Sequence, residues 1–157
     1  MRNPQALARA LALLVPTLAL AAAFGSQYLG GLTPCEMCWW QRYAHMAALA
    51  LALVAFLVRG RTFVLLAALA IAVSGGIGFY HAGVELHYFK GFTECTSSVS
   101  AAGSTDDFLK AIMNSPLVRC DEVQWSFLGI SMAGWNAILS LGGAAVIALL
   151  TLRGERR

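Results

Sequence analysis

The sequence predicts an all-α membrane protein: a bundle of four transmembrane helices with a long loop that carries a short amphipathic helix. The chain has 157 residues, of which 59% are hydrophobic and 12% are charged. A soluble domain is closer to half apolar and about a quarter charged. Its apolar residues also fall into runs long enough to cross a bilayer as helices. The composition and the apolar runs together predict one membrane domain over residues 1–157.

Four apolar segments are expected to cross the membrane, at about residues 10–28, 38–58, 62–80 and 127–152. The first segment also fits a cleaved signal peptide, because a basic start precedes an apolar centre and a run of alanines. We prefer a membrane span, since the later spans need its orientation and its surface. Glycines and Pro34 mark the first loop, at about 29–37, and Arg59-Gly60-Arg61 forms a tight basic turn.

The long loop covers about residues 81–126 and contains most of the polar residues outside the helix ends. Within it, Ser104 to Asp107 carries a helix-capping signal. The apolar residues that follow fall on one helical face: Phe108, Leu109, Ile112 and Met113. This pattern predicts a short amphipathic helix on the membrane surface. A helix packed on the end of the bundle would have the same pattern.

The distribution of charge predicts the orientation in the membrane. With four spans, one side holds seven of the 11 Lys and Arg residues, namely Arg2, Arg9, Arg59, Arg61, Arg153, Arg156 and Arg157. Basic residues mark the cytoplasmic side, so both termini are expected there. All four cysteines then lie on the opposite side, where disulfides form and persist.

The stretch from Cys35 to Arg42 holds the strongest chemical signal. A Cys-x-x-Cys motif is a redox pair, part of a metal site or a haem anchor. Haem attachment needs a histidine after Cys38, where Trp39 stands. A zinc site needs two more ligands, and Cys95 and Cys120 are not a second close pair. Thiol–disulfide chemistry is therefore the leading interpretation, with Cys95 and Cys120 as a second redox pair or a structural staple.

Cys38 is expected near the start of the second helix, with Arg42 one turn further on the same face. A helix N-terminus and a nearby arginine both favour a thiolate. Because the sequence contains no flavin, haem or nicotinamide signature, a membrane quinone is the expected electron acceptor, with Arg42 near its oxygen. His45 and His81 are further candidates for the quinone site. A histidine bonded to a neighbouring helix fits equally well for His45, and histidines placed like His81, near the end of a span, are more often interface residues than catalysts. Trp39 and Trp40 fit an ordinary aromatic belt.

Two segments carry a family resemblance: Pro34-Cys35-x-x-Cys38 followed by Arg42, and the stretch from Cys120 to Gly129. On these residues the chain resembles the DsbB family of bacterial inner-membrane proteins that generate disulfides. The resemblance implies that Cys95 accepts electrons from a periplasmic thioredoxin-like partner similar to DsbA. It further implies that Cys120 exchanges with Cys35, and that Cys38 passes electrons to ubiquinone or menaquinone beside Arg42.

Other protein classes remain open at this stage. The vitamin K epoxide reductase homologues also combine two cysteine pairs with a quinone, but their Cys-x-x-Cys lies near the end of the helical core. A metal-binding membrane protein would use Cys35, Cys38 and nearby histidines, although our preferred interpretation includes no metal. A structural tetraspan protein would leave Arg42 beside Cys38 without a role. No feature of the sequence indicates nucleic-acid binding.

Overall fold

The structure, a computed structural model, describes residues 4–58, 60–90 and 118–153. Four helices and a small hairpin make up this part of the chain: α1 (Pro4–Tyr28), α2 (Glu36–Leu57), α3 (Thr62–Glu85), β1 (Ser126–Phe127), β2 (Ile130–Ser131) and α4 (Met132–Arg153). The predicted amphipathic helix and Cys95 lie outside the described residues.

Three of these helices, α1, α3 and α4, are long and apolar enough to cross a membrane. Helix α2 has 22 residues, which is sufficient length, but its first turns carry the polar side chains Gln41, Arg42 and His45. All three of these side chains are buried inside the bundle. The described helices thus confirm three of the four predicted spans by length and composition, and the crossing by α2 stays a prediction.

The helices pack so that α3 lies against both α2 and α4, while α1 lies against the same two helices from the other side. The core is built largely from alanines, including Ala8, Ala48, Ala52 and Ala67, together with Ile71 and Ile147. Small side chains let helix backbones approach closely, and such packing holds helices together in a bilayer, where the hydrophobic effect does not.

Helices α3 and α4 differ in extent from the spans expected at about 62–80 and 127–152. Helix α3 continues to Glu85, whereas its span was expected to end near residue 80. Helix α4 begins at Met132 rather than near 127, because the antiparallel β1–β2 hairpin precedes it. The hairpin turns at Leu128 and Gly129, whose φ angles of 52° and 77° lie in the left-handed region. A helix cannot pass through two such residues, so the apolar run is interrupted there.

The two ends of the bundle differ in chemistry. At one end the Gln5 side chain donates to the carbonyl of Thr151, which joins the start of α1 to the end of α4. The chain order places the end of α2 and the start of α3 at this same end. The opposite end carries Cys35 just before α2 and Cys120 packed against it.

Candidate redox site at one end of the helix bundle

Cys35 and Cys38 lie at the start of α2, and both are free thiols. Cys35 caps the helix: its sulfur accepts a hydrogen bond from the Cys38 backbone N–H at 3.3 Å. The two sulfurs are 2.9 Å apart, with Cys35 donating to Cys38. The pKa of the Cys35 thiol is raised, first by this hydrogen bond and then by burial. Negative charge in the pair therefore belongs on Cys38, in the first turn of α2, where the helix dipole favours an anion.

Cys120 packs in one buried cluster with Cys35, Met37 and Val84. It is disulfide-bonded, and it reaches this cluster from the segment that precedes the hairpin. The structure thus brings together three of the four predicted cysteines, Cys35, Cys38 and Cys120, although Cys38 and Cys120 are 82 positions apart in the sequence. The fourth, Cys95, lies outside the described residues.

The side chain of Arg42 is buried and points toward α1. Its Nη1 donates to the Gln27 side-chain oxygen, and its Nη2 donates to the Ala23 carbonyl at 2.9 Å. The guanidinium carbon lies 4.9 Å from the centre of the Phe24 ring and 5.0 Å from that of Trp39. These contacts tie α2 to α1. A cleaved first segment would remove three of the four groups that hold this arginine.

His81 lies beside Cys35 in the structure. Its Nε2 is 3.6 Å from the Cys35 sulfur and 3.8 Å from a carboxylate oxygen of Glu85. On the other side of the ring, Nδ1 is 3.0 Å from the side-chain nitrogen of Gln41. The sequence indicated His81 as a site candidate but did not indicate which cysteine it would face.

His45 lies deeper in the bundle, and its Nε2 is 3.0 Å from the side-chain oxygen of Asn136. Asn136 also contacts Gln41, so His45 and His81 are joined through two side-chain amides. Sequence reasoning missed Gln41 and Asn136 as site residues. A signal was present, because each is a polar amide within an apolar helix, where polar groups are costly unless they are paired.

The thiol pair and one histidine also form a group that could bind a metal ion. The ligand atoms of Cys35, Cys38 and His81 all lie within 4.8 Å of one another. Structural zinc sites take four protein ligands, and this group supplies three from the part of the chain that the structure describes. The geometry alone therefore fits both a redox pair and an incomplete metal site.

An apolar groove of about 420 Å³ lies between α2 and α3 and is lined by Met37, Trp40, Val73, Gly76, Ile77 and Tyr80. Trp40 and Arg42 are two positions apart, which separates them by roughly 200° around the helix. The groove and the guanidinium of Arg42 therefore lie on different sides of α2.

The fold and the site together define a helical membrane protein with a thiol pair, one buried and one partly buried, at one end of its bundle. The family model for disulfide bond formation protein DsbB matches residues 5–150. The chain therefore belongs to the DsbB family.

Three relatives that carry the name disulfide bond formation protein B illustrate the likeness. The chain is 33% identical over 129 residues to the protein from Marinobacter nauticus, 31% over 140 residues to that from Aromatoleum aromaticum, and 32% over 146 residues to that from Azoarcus sp. strain BH72. These alignments cover 76%, 83% and 85% of this chain and 75%, 81% and 85% of the relatives. No solved structure matches the chain.

Proposed function

We propose that the chain is a disulfide-generating oxidoreductase that reoxidises a periplasmic thioredoxin-like thiol oxidase similar to DsbA and passes the electrons to ubiquinone or menaquinone. The observation that carries this proposal is that buried Cys35 and Cys120 share one cluster at one end of the bundle, with the partly buried Cys38 packed against it. Family membership supports the same class of activity, since the named relatives are disulfide bond formation proteins.

The proposed electron path uses two exchanges and one oxidation. The partner's dithiol reduces the Cys95–Cys120 disulfide and becomes a disulfide itself. The resulting loop dithiol then reduces a Cys35–Cys38 disulfide, which requires contact between Cys120 and Cys35; their shared cluster supports such contact. In the last step the Cys35–Cys38 dithiol loses two electrons and two protons and becomes a disulfide again. Each step moves one electron pair, so the thiols and disulfides balance.

The surroundings of Arg42 fit a flat, electron-poor quinone headgroup. Phe24 and Trp39 offer aromatic faces, and Cys38 lies one turn away on the same face of α2. When bound, the quinone would accept the two electrons and two protons that the thiol pair loses. Arg42 would donate a hydrogen bond to it, and the start of α2 would keep Cys38 ionised. The expected contacts of His45 and His81 with the quinone stay predictions.

We further propose that all four helices cross the bacterial inner membrane with the cysteines on the periplasmic side and both termini in the cytoplasm. Arg9, Arg61 and Arg153 belong to the end opposite the cysteines, which supports this orientation. The buried polar residues of α2 face other helices rather than lipid, which makes a crossing by α2 compatible with its lower hydropathy. Labelling from the cytoplasm of any cysteine in the reduced protein by an impermeant thiol reagent would contradict the orientation.

The decisive experiment is turnover of purified protein in detergent with a reduced thioredoxin-like partner and a soluble quinone analogue. Cys95→Ser should block electron transfer from the partner while a chemically reduced Cys35–Cys38 pair still reduces quinone. Cys38→Ser should abolish quinone reduction. Quinone reduction at the normal rate by Cys38→Ser would show that the assigned donor is wrong.

One observation favours a second candidate, a metal-binding membrane protein: the three ligand atoms of Cys35, Cys38 and His81 lie close together. That function predicts one zinc ion per chain in purified protein, with the thiols free and no turnover. Metal-free protein that turns over with quinone would exclude it.

A further inference from the structure

A chain of buried side-chain amides fixes the orientation of groups next to the thiol pair. The Gln41 side-chain nitrogen lies 3.1 Å from the Met37 carbonyl oxygen and 3.0 Å from His81 Nδ1. A backbone carbonyl can only accept a hydrogen bond, so the NH₂ group of Gln41 must occupy this position. Because that NH₂ group can only donate, Nδ1 of His81 is an acceptor and carries no hydrogen.

Asn136 fixes the other half of the Gln41 amide. The Asn136 side-chain nitrogen donates to the Gln41 side-chain oxygen at 2.7 Å and to the Ser74 carbonyl at 3.2 Å. The Ser74 carbonyl sets the orientation of Asn136 by the same argument, and Ser140 adds a donor to the Asn136 oxygen at 2.8 Å. The carbonyls of Met37 on α2 and Ser74 on α3 thus fix the same direction for the hydrogen bonds that run from Asn136 through Gln41 to His81.

The direction of these bonds determines which nitrogen of His81 is protonated. With Nδ1 accepting, a neutral His81 holds its hydrogen on Nε2, the atom 3.6 Å from the Cys35 sulfur. We propose that Gln41 and Asn136 are positioning residues that hold His81 as the Nε2–H tautomer, so that it donates to Cys35 when that sulfur becomes a thiolate. This inference rests on the proposed thiol–disulfide function.

The Nε2–H of His81 would assist the step that transfers electrons from the loop cysteines to the Cys35–Cys38 pair. The Cys120 thiolate bonds to the Cys35 sulfur, the Cys35–Cys38 bond breaks, and Cys38 leaves with the electron pair. The Cys95 thiolate then bonds to Cys120, the mixed disulfide breaks, and Cys35 leaves with the electron pair. The Nε2–H of His81 stabilises that leaving thiolate, since hydrogen bonds to charged groups are stronger than neutral ones. The histidine therefore acts on the exchange step through Cys35.

The first test is direct observation of the tautomer. Protein labelled with ¹⁵N-histidine, studied by NMR in detergent near neutral pH, should show His81 with a protonated Nε2 and an unprotonated, hydrogen-bonded Nδ1. His81→Gln assigns the signals among the three histidines of the chain. A protonated Nδ1 in the wild-type protein would overturn the proposal without any variant having to fold.

The second test separates positioning from a general structural role. Gln41→Met removes the donor to Nδ1 and should slow exchange between the loop cysteines and the first pair by about two- to tenfold. Exchange between the soluble partner and the Cys95–Cys120 pair should keep its rate, because Cys35 takes no part in that step. The double variant with His81→Gln should exchange no more slowly than His81→Gln alone, because Gln41 acts through the histidine.

Tyr43→Phe is the matched control, because Tyr43 lies on the exposed side of the same helix, and its exchange rate should match that of the wild type. Additive losses in the Gln41 and His81 double variant would overturn the positioning role. If the wild-type protein failed to reduce quinone while its His81 tautomer was as expected, the proposed quinone coupling would be wrong and the tautomer assignment would stand.

Discussion

Substitution of Arg42 is the most informative perturbation, because two substitutions can separate the effect of its charge from the effect of its hydrogen bonds. Arg42→Gln removes the charge beside Cys38 together with the donors to Gln27 and Ala23. Arg42→Lys keeps the charge but loses the planar fork that reaches both oxygens at once. We expect Arg42→Lys to retain much of the Cys38 thiolate and to bind quinone more weakly, and Arg42→Gln to lose both.

The expected loss of quinone affinity follows from the free energy of the hydrogen bond between Arg42 and the quinone that is lost. A hydrogen bond to a charged group contributes about 1.5–3 kcal/mol, and each 1.4 kcal/mol is about tenfold in affinity. Apparent quinone affinity should therefore fall about ten- to a hundredfold in Arg42→Gln. Disulfide exchange with the soluble partner should change little, because the loop cysteines, rather than Arg42, make that contact.

The assay is turnover measured against quinone concentration, with partner exchange followed separately. Gln27→Leu is the matched control: it removes the partner of Nη1 on α1 but leaves the charge of Arg42 in place. Quinone dependence should be retained in Gln27→Leu, since the freed N–H can donate to the quinone. An equal loss in Gln27→Leu and Arg42→Gln would refute the reasoning and reduce Arg42 to a residue that holds α1 against α2.

Two further predictions concern packing and pH. A Cβ atom on Gly78 would lie 3.0 Å from both the Ala133 carbonyl oxygen and the Asn136 side-chain nitrogen, so Gly78→Ala should destabilise the α3–α4 contact by about 1–3 kcal/mol in unfolding measurements in detergent. Gly76→Ala, with open space around its Cβ, should unfold like the wild type. Arg119 lowers the pKa of Asp121 to about 2 through its hydrogen bonds. The contribution of this pair to the stability of the folded state is present above the usual aspartate pKa and is lost only as pH falls through about 2. In Arg119→Gln, carboxylate NMR should show Asp121 titrating near its usual value. An unchanged low pKa in that variant would contradict the assignment.

The helices of this protein, and the position of the thiol pair on one of them, could be predicted from the sequence because both are local properties. Apolar runs of about twenty residues specify helices whatever their neighbours are. Cys35 and Cys38 lie at the start of α2 because Gly31 and Pro34 precede a run with no breaker. The hairpin before α4 escaped prediction because apolar residues at 127–131 continue the pattern of a span, and only the left-handed backbone at Leu128 and Gly129 interrupts it.

The contacts between different helices within the site depend on the tertiary structure alone. Arg42 could be placed on the same face as Cys38 from spacing, but its partners on α1 depend on which helix packs against that face. His81 contacts Cys35 although the two are 46 positions apart in the sequence, and Asn136 contacts Gln41 although they are 95 positions apart. Helical periodicity predicts which face of each helix is buried. It does not predict which residue of a neighbouring helix lies at the same level along the bundle. That matching is set by close packing of small residues between helices, so the hydrogen bonds that join His81, Gln41 and Asn136 are decided there.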